Sequence, residues 1–85
     1  MTIHVAHIDH RHGYNFYVAA TEDELSAKIA EYCREYWDDC QASEDTPEAP
    51  EDNNECVSLY FDENEEEFLA VDTATLDSME VVNKL

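Results

Sequence analysis

The sequence predicts an α+β fold: a small antiparallel sheet of three to four strands covered by one or two helices, in the order β-β-α-α-β. Three observations carry this. Two runs rich in β-branched and aromatic residues flank the only glycine, Gly13. Thr21, with Glu24 three residues on, opens an apolar stripe at helical spacing. Strand composition then returns at Phe68–Thr73, after an acidic turn.

The elements follow in order. Residues 2–8 and 14–20 read as two strands, because Ile3, Val5, Ile8, Tyr14, Phe16, Tyr17 and Val18 suit a half-buried pleated surface. Asp9-His10-Arg11-His12-Gly13 joins them as a hairpin loop of about five residues, with Gly13 free to take a left-handed conformation. The helix that follows is expected over residues 22–40. Thr21 caps it, Glu22, Asp23 and Glu24 complement its dipole, and Leu25, Ile29, Tyr32, Cys33, Tyr36, Trp37 and Cys40 form its inward stripe. Residues 41–49 are polar, contain Pro47 and read as linker-like. Residues 50–63 have two readings. Pro50 followed by acids suggests a helix first turn, whereas Val57, Leu59 and Phe61 alternate as a strand would; the helix is preferred. In the tail, Met79, Val81 and Val82 suggest another short strand.

Length and composition predict a single acidic domain over residues 1–85 with a small core. Hydrophobic residues make up 44 %, too many for a disordered acidic tail. No apolar run is long enough for a membrane span, and the first residues read as a strand start rather than a signal peptide. A cytoplasmic setting is expected. Cys33, Cys40 and Cys56 match no zinc spacing and are expected as reduced, partly buried thiols. If the helix ran through both Cys33 and Cys40, their separation of about 10 Å would put a disulfide out of reach.

Motifs for chemistry are absent or incomplete. His4, His7, His10 and His12 cluster in the hairpin, but no spacing fixes a third and fourth metal ligand. The run from Asp62 to Glu67 fails the calcium-loop pattern, which needs glycine at its sixth position and glutamate at its twelfth; Glu67 and Thr73 stand there. Neither a nucleophile elbow nor a glycine-rich phosphate loop occurs. The expectation is therefore a chain with no catalytic residues, no metal and no cofactor.

Charge is the strongest signal. The net charge is −18, and between Glu35 and Asn83 there are seventeen Asp or Glu residues and no Lys or Arg. Ordinary surfaces mix both signs. One-sided charge stores self-repulsion that folding does not require. It repels nucleic acid and anionic lipid, and attracts basic partners. Eighteen charges match those on roughly 30 Å of DNA duplex, about nine base pairs. Glu31, Glu35, Asp38 and Asp39 on the first helix, with Glu44, Asp45, Glu51, Asp52, Glu63, Glu65 and Glu66 around it, are the candidate partner-binding residues. Tyr32, Tyr36 and Trp37 read as core; an exposed edge beside carboxylates would suit an arginine anchor.

In size, β-β-α opening and basic-free acidic stretch, the chain resembles phage-encoded DNA-mimic inhibitors, among them anti-CRISPR and anti-restriction proteins. The resemblance implies a non-enzymatic inhibitor whose carboxylates stand in for phosphates in the basic DNA- or RNA-binding site of a host defence complex, most readily a CRISPR effector subunit. Such a protein would be a monomer or weak homodimer, with no direct nucleic-acid or membrane contact. Two alternatives stay open: an acidic interaction protein, antitoxin-like or a chaperone of a basic partner, and a salt-adapted small domain.

Overall fold

The computed structural model describes residues 2–10, 13–62, 64 and 66–75. β1 (Thr2–His10) and β2 (Gly13–Ala19) form an antiparallel hairpin whose ladder runs from His4↔Ala19 to His10↔Gly13. The strands are thus longer, and the connection shorter, than the sequence suggests. Polar side chains at His10 and Asp9 do not prevent pairing, because the ladder is made by the backbone. Gly13 has φ +134°, a conformation that L side chains rarely adopt, so glycine suits the first position of β2. β3 (Phe68–Thr75) pairs antiparallel with β1 on its other side, giving the order β2-β1-β3. The tail strand expected beyond residue 75 lies outside the described residues.

α1 (Glu22–Glu35) begins as expected: the Thr21 side chain accepts a hydrogen bond from the Glu24 backbone at 3.1 Å. It ends five residues before the expected position 40. Tyr36 closes it, and the chain tightens into a 3-10 turn at Trp37–Asp39. This turn buries Trp37 and lets its indole N–H donate to the Thr46 carbonyl at 2.8 Å. That bond and the buried Ala42 give the polar segment 41–49 more structure than its composition suggests, including the short α2 (Ala42–Asp45). Residues 50–63 take the helical reading, as α3 (Asn53–Asp62). Its start is later than Pro50 implied. Asp52 is the residue that bonds its first turn, through Oδ2 to the Glu55 N–H at 2.9 Å, a side-chain capping role proline lacks.

The core lies between the sheet and the helices. Ala6, Ile8 and Ala19 from the sheet meet Leu25, Ile29, Ala30 and Cys33 of α1 and Cys56 and Tyr60 of α3. α1 contacts both hairpin strands and α3 packs on α1, so the helices form a layer on one sheet face. This layer stops short over β3. There Val71, 61 % exposed, lines a groove of about 430 Å³ with Leu25, Ile29 and Val57. Among the described residues, no helix is long and apolar enough to cross a membrane.

Candidate partner-binding surface

Eighteen acidic residues fall among the described positions, and all but Glu67 are exposed. Their distribution follows from the fold. The exposed flank of α1 presents Glu31 and Glu35. The 3-10 turn adds Asp38 and Asp39, α2 adds Glu44 and Asp45, and Glu51 and Asp52 precede α3. Glu66 is exposed in the turn before β3, while Glu63 and Glu65 lie outside the described residues. The described candidate carboxylates are therefore gathered on and around the helical layer. Asp52 serves the fold as well, as the cap of α3.

The two described Lys and Arg residues donate to carbonyl oxygens at element junctions. Lys28 Nζ donates to the Val18 carbonyl at 2.8 Å, tying α1 to β2. Arg34 Nη2 donates to the Pro50 and Glu51 carbonyls at 3.2 and 2.9 Å, and to Asn53 Oδ1 at 2.9 Å, fixing the entry to α3. In these bonds both cations act as structural clamps.

Where α1, β2 and the turn before β3 converge, a cleft of about 510 Å³ is lined by His10, Asn15, Tyr32, Tyr36, Asp39, Glu66 and Glu67. Its floor is a network the sequence reading missed. Tyr60 OH donates to both Glu67 oxygens, at 3.0 and 3.1 Å, and Tyr32 OH donates to Oε1 of the same carboxylate. Asn64 Oδ1 accepts from the Glu66 and Glu67 backbone N–H groups at 3.0 and 3.2 Å, holding the turn that delivers Glu67. Burial, and then the Glu67 carboxylate, push both tyrosine hydroxyls well above the ordinary tyrosine range, so they remain donors. In sequence, Glu67 is one acid within an acidic run, and nothing local separates it from Glu66. Tyr36 departs from the expected core stripe. It is 43 % exposed, with its ring centroid 5.0 Å from that of Tyr32. An aromatic edge beside Asp39 and Glu66 is a chemical match for a guanidinium or ammonium group.

Other candidate chemistry is dispersed. Strand alternation sends His4 and His10 to the helix-facing side of β1 with Ala6 and Ile8, and His7 to the opposite side. His10 Nε2 lies 3.5 Å from Asn15 Oδ1. Among the described residues, no three His, Cys, Asp or Glu side chains are grouped as a metal ion requires. Cys33, Cys40 and Cys56 are buried and unbridged, and burial raises all three thiols above their ordinary range. Thiols so placed are poor nucleophiles. Comparison of the chain with protein-family models, curated proteins and solved structures finds no match in any of the three.

Proposed function

We propose that this chain is a non-enzymatic inhibitor that mimics the charge of a nucleic acid and occupies the basic DNA- or RNA-binding site of a host defence complex, with a CRISPR effector subunit as the target class. One observation carries the reading: exposed carboxylates run from Glu31 through Asp52, and the one described cation among them, Arg34, is engaged with the entry to α3. A surface of this kind offers a Lys- and Arg-lined groove the field a phosphate backbone would offer. Association is driven by steering and counterion release. Tyr36 beside Asp39 gives the surface a place to seat one arginine more tightly than charge alone would. A second reading, an antitoxin-like or chaperone-like partner of a basic protein, draws support from the exposed aromatic face of the sheet.

The test is a tagged pull-down from bacterial lysate with stepwise salt elution and mass spectrometry. The inhibitor reading expects a nucleic-acid-binding defence protein that elutes at moderate salt and is displaced by competing duplex DNA. Retention that survives high salt favours the second reading. If no basic protein is retained at low salt, neither reading stands, and the charge is an adaptation to solvent.

A further inference from the structure

The face of the sheet away from the helices is apolar, and none of the described elements covers it. Tyr14 and Phe16 of β2 and Phe68 of β3 are 61 %, 66 % and 63 % exposed, and Val18 beside them is 51 % exposed. The register places all four on the side opposite buried Ala6 and Ile8, around His7 in the central strand. The His7 ring stacks on Phe16, with centroids 4.8 Å apart, and meets Tyr14 edge-on at 5.2 Å. Its Nε2 is enclosed without a hydrogen-bond partner. The face therefore presents an ordered aromatic surface with little polar chemistry for a ligand to read.

We infer that this face is the contact between two copies of the chain, packed sheet to sheet. Charge selects the occupant. Exposed aromatic rings on an open sheet also suit single-stranded nucleic acid, but that mode needs cations beside the rings. The described residues of this face include no Lys or Arg, and its acids are Asp9 and Asp72. A basic partner gains far more from the helical layer. A second copy is suited to it, because this is the surface on which two molecules of charge −18 meet with little repulsion. Sheets pack about 10 Å apart and each helix layer adds about 10 Å, so the two acidic layers end more than about 30 Å apart. The screening length at physiological salt is about 8 Å.

Area agrees. Exposed to this extent, the three aromatic side chains offer about 400 Å² per copy, or about 800 Å² in the pair. Val18 and the flanking aliphatics bring the total toward about 1,200 Å², the lower bound of stable interfaces. The contact is isologous, so each ring is used twice. The result is a weak dimer displaying acidic surfaces on opposite sides. The inference does not depend on what the acidic layer binds.

The test is sedimentation velocity of the full chain from micromolar to millimolar concentration, at physiological and at high salt. The expected result is a concentration-dependent dimer that high salt preserves or strengthens. Phe16→Glu should weaken it at least tenfold with an unchanged far-UV spectrum, while Glu35→Lys on the helical layer leaves it in place. Isotope-filtered NMR of mixed labelled and unlabelled chains gives a readout free of substitution, with contacts from the Phe16 ring to the other copy. A chain that stays monomeric throughout overturns the proposal. So does a dimer indifferent to Phe16→Glu, or a Phe16 ring whose contacts are to residues 76–85 of its own chain.

Discussion

The helical layer and the open sheet face sit on opposite sides of one small core and obey opposite rules. The helical layer is aromatic and thiol-rich within, through Tyr32, Cys33, Cys56 and Tyr60, and acidic without. The fully buried side chains of the sheet are small or aliphatic, Ala6, Ile8 and Ala19, with Tyr17 half-buried beside them, while the rings of Tyr14, Phe16 and Phe68 face outward. The lesson is about where charge is tolerated. Carboxylates on the convex surface of helices spread into solvent and lower one another's cost through distance and screening. On a flat strand pair, like charges directly opposite one another are destabilising neighbours. The chain therefore concentrates its acid where repulsion is cheapest and leaves the flat face nearly neutral.

This contrast can be broken most severely at the acidic layer. Replacing Glu35, Asp38 and Asp39 together with lysine should weaken binding to a basic partner by about 10³-fold or more, read by calorimetry at fixed salt. Because all three are exposed, the fold should persist, slightly relieved of self-repulsion. Binding unchanged by the triple substitution would show that the acidic layer is not the contact.

The two sides of the sheet should differ next in stability. Ile8→Ala empties a fully buried site in the central strand and should cost about 2–5 kcal/mol in urea unfolding. The same truncation at Phe16, on the open face, should cost about 1 kcal/mol or less in the monomer, from lost cross-strand contacts. Equal costs would mean that the outer face is already covered.

A milder change than Ile8→Ala sharpens the role of Glu67. Tyr60→Phe removes one of the two hydroxyl donors to its carboxylate and should cost about 1–2 kcal/mol. A pH dependence accompanies it. Both tyrosines hold their protons more tightly folded than unfolded, so their contribution is complete below the ordinary tyrosine pKa of about 10. Above it the unfolded chain releases protons that the folded chain retains, and stability falls as pH rises. Tyr60→Phe should flatten that alkaline decline; an unaltered slope would remove Tyr60 as its source.

Some features were legible because their signals are local. Thr21 with Glu24 marked the start of α1, Gly13 marked the turn, and the helical reading of 50–63 followed from Pro50 and the acids behind it, read as a first turn. Signals that depend on a distant partner were not. The end of α1 moved because the Trp37 indole finds Thr46, and the start of α3 moved because Asp52, rather than Pro50, bonds its first turn. Glu67 was invisible for the same reason. Its distinction is to meet two tyrosines, one of them 35 positions away in the chain.

By itself the sequence determined the class of fold, the order of its strands and two longer helices, and the excess of acid, since these rest on backbone propensity, spacing and composition. Only the tertiary structure decided which side of β1 became the core. Ile3 and Val5 are apolar on one side of that strand, and Ala6 and Ile8 on the other, so alternation alone leaves the choice open. The docking of α1 settles it: once Leu25, Ile29 and Cys33 close over Ala6 and Ile8, the rings of Tyr14, Phe16 and Phe68 are committed to the outside.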